Sequence, residues 1–391
     1  MSVPNFKVSK VQISLDGKVC EVEWKDGHLS RYNVKWLRFN CQCKRCKPDL
    51  CATCTVDVPR YTDDFRMVEA KISEDGDSLA IKYNGDAVLD HVGVLSLEWL
   101  RSSCYCDLCL SELVESRDVI TKSMSRSKTE IPSVEYSELK DNDSGLFKML
   151  ELFFEFGFCR VRNVSRNDRM IIEFGSKIGF IRTATTSGDL FNVFPHFTDN
   201  VAFTDKELLP HMDQQIYEYT PGIQIIHALR FDSEVTGGDS QIVDMFEVAE
   251  TLRKENPEDF EVLTRIPATF TKINYNWKVV GVNWHPGFLS TPIVRENDVE
   301  KYYKAHRKFA LIVERDDLAG KYKFRMQPGD LLVVNNRRMC HARTSFQLNG
   351  GWRHLQACFV NLDDVKSTYM ILAKKLGIKV IPPKVGNTSS I

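Results

Sequence analysis

No stretch of this 391-residue chain stays apolar for the length a bilayer crossing needs, which sets aside a membrane-spanning helix. An excess of charge is missing too: Lys+Arg 52 stand against Asp+Glu 53, giving a formal net charge of −1, and the two signs are interspersed. Neither nucleic acid nor an anionic membrane surface is expected as a partner. The opening Met1-Ser2-Val3-Pro4-Asn5-Phe6-Lys7 lacks the apolar core of a secretory signal, and it lacks the Arg and amphipathic helix of a mitochondrial leader. The expectation is a cytoplasmic protein whose 12 Cys stay reduced. At 43% hydrophobic residues, the chain is long enough for two domains, each with its own core.

What is present begins with cysteine, crowded into the first part of the chain in a pattern that repeats. One copy reads Trp24-Lys25-Asp26-Gly27-His28, then Trp36-Leu37-Arg38, then Cys41, Cys43 and Cys46. The other reads Tyr83-Asn84-Gly85, His91, Trp99-Leu100-Arg101, then Cys104, Cys106 and Cys109. The shared order of His, Trp-Leu-Arg and C-x-C-x-x-C marks an internal duplication, each unit a small β-meander followed by a turn-bound Cys cluster. Three thiolates and one imidazole make a closed tetrahedral zinc site, and cysteines this dense in a reducing compartment point to metal before disulfide. The fourth ligand stays open between a His of the same unit and a His of the other, and Cys51 and Cys54 also have ligand-like spacing.

After Cys109 the chain turns polar and loses periodicity, so the expected organisation is a zinc-binding domain over 1–115, a linker over 116–130 and a second domain over 131–391. Leu146, Met149, Leu150 and Phe153 follow the helical spacing and lead into a short strand at Gly157 to Val161. Further helices are expected at Phe246 to Lys254, after an Asn256-Pro257 N-cap, and at Val299 to Phe309. Lys321 to Phe324 and Leu331 to Asn336, separated by a Pro-Gly turn, read as a β-hairpin. Helices flanking antiparallel strands, mainly β overall, fit a double-stranded β-helix, or jelly roll.

The chemistry gathers in that second domain. In Leu209-Pro210-His211-Met212-Asp213, alternation puts the imidazole of His211 and the carboxylate of Asp213 on one face of an extended chain. A His from far along the sequence would complete a two-His, one-carboxylate triad that suits Fe(II) and leaves half its octahedron open. His341 in Met339-Cys340-His341-Ala342-Arg343 is the candidate. Twelve residues on, Arg353 opens a strand in which Leu355, Ala357 and Phe359 share its face. A cation on an apolar face wants an anion, and the guanidinium fork suits a carboxylate.

These features resemble the Fe(II)/2-oxoglutarate dioxygenases, in particular the gamma-butyrobetaine and trimethyllysine dioxygenase family. The marks are the H-x-D at His211 and Asp213, the run Thr236-Gly237-Gly238-Asp239-Ser240-Gln241-Ile242-Val243-Asp244, the N-x-R-x-x-H ending at His341, and Arg353. The resemblance implies that His211, Asp213 and His341 hold iron, that Arg353 pairs with the distal carboxylate of 2-oxoglutarate and that Ser240 assists. It implies ascorbate as reductant, O2 as co-substrate, a homodimer, and a first zinc held by Cys41, Cys43, Cys46 and His91. A reciprocal second zinc at Cys104, Cys106, Cys109 and His28 follows if the duplication is pseudo-twofold. For a trimethylammonium substrate the family uses an aromatic cage. The matching positions here are Phe191, Phe203 and Phe359, with a fourth near Ser187. Asn200 matches a position near the substrate carboxylate, and His285 stands where the family has another Asn.

The other histidines have plainer readings. His227 reads as a satisfied core imidazole, His306 and His354 as structural, and Cys340 as packing turned away from iron. The functional expectation is hydroxylation of gamma-butyrobetaine to L-carnitine with 2-oxoglutarate decarboxylated to succinate. The alternatives are the same chemistry on trimethyllysine or another small amine or betaine, and a catalytically silent zinc-binding interaction protein.

Overall fold

The structure, a computed structural model, describes residues 7–47, 61–116, 130–183, 188–195, 201–215, 217, 219–266, 270–271, 279, 281–286 and 294–380. The chain forms two compact units, Met1–Ser116 and Arg117–Ile391. The linker expected at 116–130, and Cys51, Cys54, Ser187 and Asn200, lie wholly or largely outside the described residues. No helix among the described residues is long and apolar enough to cross a membrane.

The first unit is two three-stranded antiparallel sheets, β1 (Val8–Ile13), β2 (Val19–Trp24) and β3 (Leu29–Asn33), then β4 (Arg66–Ile72), β5 (Ser78–Asn84) and β6 (Val92–Ser96). Alternation along β2 buries Cys20, Val22 and Trp24, and along β5 it buries Leu79 and Ile81. Each sheet runs into a short helix with a side-chain cap: the Asn33 side chain accepts from the Lys35 N–H at 2.8 Å, and Ser96 from the Trp99 N–H at 3.4 Å. The two helices, Val34–Phe39 and Leu97–Ser102, carry the repeated Trp-Leu-Arg and deliver the chain into the Cys triads.

The second unit holds β7 (Ser133–Glu135), β8 (Phe158–Arg162), β9 (Phe191–Val193), β10 (Leu208–His211), β11 (Ile223–Phe231), β12 (Thr236–Gly237) and β13 (Ser240–Asp244). It continues with β14 (Phe270–Thr271), β15 (Gly281–Val282), β16 (Lys321–Phe324), β17 (Leu331–Asn335), β18 (Met339–Arg343), β19 (Phe346–Gln347) and β20 (Arg353–Val360). A six-stranded sheet, β7-β8-β17-β11-β20-β9, faces a four-stranded one, β10-β18-β13-β16. Ala228, Leu332 and Leu355 of the first meet Ile242, Phe324 and Met339 of the second in a shared core. This is a double-stranded β-helix, distorted and flanked by helices. Outside the larger sheet pack the helices Asp143–Phe156, Met170–Ile178 and Leu362–Lys375, and outside the smaller one Met245–Glu255, Pro257–Arg265 and Val299–Glu314. On the helix Asp143–Phe156 the four periodic residues Leu146, Met149, Leu150 and Phe153 are all buried, each worth about 1.5–3 kcal/mol.

Two expectations, a hairpin and a satisfied His227, are corrected, and a third, the N-cap at Asn256, holds with a different bond. The segments at Lys321 and Leu331 do not form a hairpin: β16 pairs with β13, and β17 with β11 and β8. The Gln327 to Asp330 turn, where the Asp330 carboxylate accepts from the Gln327 N–H at 2.8 Å, carries the chain from one sheet to the other. A Pro-Gly turn fixes a reversal, not which strands pair across it. Asn256 does stand at the N-cap of Pro257–Arg265, but its side chain makes no capping bond and instead accepts from Lys308 Nζ at 2.6 Å. His227 is fully buried as expected but not satisfied, since neither ring nitrogen has a partner among the described residues. Burial therefore pushes its pKa down to about 4, which keeps it neutral.

Candidate active site

Two neighbouring strands bring the distant histidines together. β10 and β18 run antiparallel with His211 directly opposite His341, and their ring centroids are 4.2 Å apart. Asp213 follows two residues after His211, past the end of β10, and its Oδ1 lies 3.2 Å from His211 Nε2 and 4.0 Å from His341 Nε2. One ligand atom from each of the three falls within 4.8 Å of the others. His211 Nδ1–H donates to the Leu209 carbonyl at 2.8 Å, which leaves the Nε2 lone pair facing the carboxylate. Burial, with His211 adding to it, pushes His341 down to about 3, so its ring is neutral and able to ligate. Burial works against ionisation of Asp213, but the adjoining His211 and His341 outweigh it and hold the carboxyl down at about 2.

Two side chains to which the sequence reading gave no role hold Asp213, one by its carboxylate and one by its backbone. Gln224 on β11 donates from Nε2 to Asp213 Oδ2 at 2.6 Å. Asn336, fully buried after β17, accepts from the Asp213 N–H at 2.8 Å and donates to the Asp213 carbonyl at 2.9 Å and the Pro221 carbonyl at 3.0 Å. The signal for Asn336 was present, the second of two amides following four apolar strand residues, where a polar group has to be satisfied to be buried. Gln224→Leu is expected to weaken iron binding about tenfold, because partners of metal ligands carry roughly 10–100-fold of the affinity. Titrating the variant with Fe(II) beside the parent checks this, and an unchanged affinity would make Gln224 a mere wall residue.

Across a cavity of ≈ 90 Å³ from the triad stands Arg353, 3% exposed, with Ser240 of β13 also in the wall. Its guanidinium lies 5.2 Å from the ring centroids of both Phe231 and Phe346. Its Nε has no partner, and no carboxylate pairs with it among the described residues. Burial pushes it down to about 9, and the positive charges of Arg343 and Arg325 push the same way. A buried cation left unpaired is costly, and an anionic ligand removes that cost. Gly238 makes the arrangement possible: at φ +77 it passes so close that a Cβ would sit 3.1 Å from Phe231 and 3.3 Å from Arg353 Nε. Arg343, another wall residue, donates to the backbone carbonyls of Ala202, Thr204 and Lys206 and so fixes the segment before β10.

The remaining expected residues are placed unevenly. Phe191 stands in the cavity wall, and Phe359 packs against it with centroids 5.8 Å apart. Phe203 lies half-buried in the turn Val201–Phe203, next to the wall residue Ala202. The His285 ring is 5.0 Å from that of His211, and burial holds its pKa down to about 4. Leu355 and Ala357 line the cavity with Arg353, while Cys340 is buried among the helices behind the smaller sheet. His354 bonds outward to Asn192 at 2.9 Å, and His306 stacks on Trp284 at 5.1 Å.

In the first unit His91 Nε2 lies 3.5, 3.4 and 3.3 Å from the Sγ atoms of Cys41, Cys43 and Cys46. Asp86 accepts from His91 Nδ1 at 2.8 Å and from Arg38 Nε at 2.7 Å. Cys104, Cys106, Cys109 and His28 form a second such group, so both pairings run between the two repeats.

A converging two-His, one-carboxylate set suits Fe(II), and the unpaired Arg353 across the cavity suits the far carboxylate of a dicarboxylic oxo acid, so both groups fit the residues present. The chain is a 2-oxoglutarate-dependent dioxygenase of the non-haem iron class. Residues 121–359 match the taurine catabolism dioxygenase TauD, TfdA family, and the chain belongs to it. Residues 11–86 match the gamma-butyrobetaine hydroxylase-like N-terminal family. Relatives include the trimethyllysine dioxygenase of Meyerozyma guilliermondii, 27% identical with 93% of this chain and 95% of that one covered. The gamma-butyrobetaine dioxygenase of Homo sapiens is 25% identical, covering 93% and 97%, and that of Pseudomonas sp. is 27% identical, covering 90% and 93%. Among solved structures, the non-heme iron oxygenase OrfP in complex with Fe and alpha-ketoglutaric acid is 18% identical over 56% of this chain and 80% of that one, with a TM-score of 0.43.

Proposed function

We propose that this dioxygenase hydroxylates gamma-butyrobetaine to L-carnitine, with His211, Asp213 and His341 holding Fe(II) and with Arg353 and Ser240 receiving 2-oxoglutarate. Bound there, Fe(II) would activate O2 and couple decarboxylation of 2-oxoglutarate to succinate with hydroxylation of the substrate. Arg353 orients the oxo acid by its fork, and the apolar wall of Ile226, Leu332 and Ala357 keeps water from the reacting carbon. Within this reading residues 1–115 form a zinc-binding domain, with Cys41, Cys43, Cys46 and His91 as a structural zinc site, and 131–391 the dioxygenase domain. A homodimer and ascorbate as reductant are carried by the resemblance.

The observation that carries the substrate class is Phe191 in the wall, backed by Phe359. An aromatic face offers a fixed trimethylammonium cation its attraction without asking for a proton. Trimethyllysine is the second reading, supported by the likeness to the Meyerozyma guilliermondii enzyme and by His285 beside His211, where the resemblance expects an amide. Succinate formation by the Fe(II)-loaded protein separates the two when gamma-butyrobetaine, trimethyllysine and no prime substrate are compared. Strong stimulation by gamma-butyrobetaine alone is expected; stimulation by trimethyllysine instead, or by neither, overturns the proposal.

Arg353→Lys keeps the charge but loses the fork, so the 2-oxoglutarate concentration for half-maximal rate is expected to rise about tenfold. An unchanged value would move the carboxylate contact to Arg343, the other buried cation in the wall.

A further inference from the structure

The iron centre uses nothing from the second Cys triad, and the geometry points to a use for it: we propose that Cys104, Cys106, Cys109 and His28 bind a second structural Zn(II). His28 Nε2 lies 3.3 Å from Cys104 Sγ, 3.8 Å from Cys106 Sγ and 3.7 Å from Cys109 Sγ. A tetrahedron with the usual zinc–sulfur and zinc–nitrogen bond lengths has nitrogen-to-sulfur edges of roughly 3.6 Å. The three nitrogen-to-sulfur distances are therefore already close to what the ion demands, and all four donor atoms lie within 4.8 Å of one another. Three cysteines cannot pair off as disulfides, and all three are free thiols here.

Each sulfur also has its own donor, as a thiolate bound to metal requires. Ser30 Oγ–H donates to Cys104 Sγ at 3.2 Å, the Cys109 N–H to Cys106 Sγ at 3.4 Å, and Arg101 Nη1 to Cys109 Sγ at 3.6 Å. The first cluster has the matching contact, Arg38 Nη1 to Cys46 Sγ at 3.3 Å. Its Arg38 is held by Asp86, which lies beside His91; Arg101 is held at 3.2 Å by Asp26, which lies beside His28 and accepts its backbone N–H at 2.9 Å. At the centre, the equivalent tryptophans Trp36 and Trp99 stack on each other at 5.2 Å. The repeats thus exchange histidines about a pseudo-twofold relation, and each metal would tie the Cys turn of one repeat to the sheet of the other. A donor set of three sulfurs and one nitrogen with no open position selects zinc and gives it a structural role.

The test uses the full chain, produced with zinc and analysed for zinc and iron separately. Two zinc per chain are expected, falling to one in His28→Ala and in Cys106→Ser. Mass spectrometry after alkylation of the native parent is read alongside, so a variant that fails to fold does not decide the matter. Cys104, Cys106 and Cys109 should resist alkylation until zinc is chelated, and in His28→Ala they should react while Cys41, Cys43 and Cys46 stay protected. One zinc per chain with the second triad freely alkylated overturns the site. Protection lost at Cys41, Cys43 and Cys46 in His28→Ala, or a second zinc that shields Cys51 and Cys54 instead, overturns this ligand set.

Discussion

Asp213→Ala is expected to empty the iron centre and to lower Fe(II)-dependent succinate formation more than about a hundredfold. Loss of an outer partner of a metal ligand costs roughly 10–100-fold, so loss of the one anionic ligand has to cost more. Two neutral imidazoles would remain, without the charge that offsets a dication in a cavity walled by apolar side chains. The fold should survive the change. The Asp213 side chain is 22% exposed, and the backbone around it is held by Asn336 through bonds that an alanine keeps. Iron content after purification and the 2-oxoglutarate-dependent rate are the two readings, with thermal unfolding as the control. Retained iron with a retained rate would remove Asp213 from the ligand set; lost iron with an unchanged unfolding temperature assigns it there.

How far that centre could be read without coordinates differs from residue to residue. His211 and Asp213 were legible because a two-residue spacing on a strand is a local fact. His341 was legible only as a pattern, since nothing in a sequence says that β10 and β18 are neighbours with those two residues in register. Arg353 announced itself by violating alternation, a cation among Leu355, Ala357 and Phe359. Gln224 was not legible: on β11 it sits between Ile223 and Ile225, which are buried, and what it bonds is decided by which strand lies across the cavity. The hairpin expected at Lys321 and Leu331 failed for the same reason, because both segments are β-prone and the turn between them is sound, yet each finds better partners in a different sheet. The exchange of histidines between the Cys repeats is likewise tertiary, for equal spacing in both copies fits pairing within a repeat as well as pairing across it. Local chemistry is written along the chain; strand neighbours and cross-pairings are set by the whole core.

The arginine of the distal N-x-R-x-x-H makes a contrasting case, since Arg338 touches no substrate position and its loss is nonetheless expected to be severe. Arg338 and Asp244 are 1% and 2% exposed, with Nε 3.0 Å and Nη2 2.6 Å from the same carboxylate oxygen. Nη1 donates to the Glu155 carbonyl at 3.3 Å, and the other oxygen of Asp244 caps the following helix through the Phe246 N–H at 3.1 Å. Arg338→Met fills much of the volume but strands a buried carboxylate, which costs about 3–5 kcal/mol. At about 2–4 °C per kcal/mol for a domain of this order of size, the second unit should unfold some 6–20 °C lower. Adding Asp244→Asn removes the stranded charge while keeping an oxygen for the helix cap, so the double variant is expected to recover part of the loss. A thermal melt of the parent, both single variants and the double variant closes the cycle and isolates the pair. A shift equivalent to less than about 1 kcal/mol would mean that the carboxylate is hydrated once the arginine is gone. The same melts separate scaffold from chemistry: Arg338 ties the start of β18 to the end of β13, so Arg338→Met should lose iron only as the unit unfolds, whereas Asp213→Ala should lose it while folded.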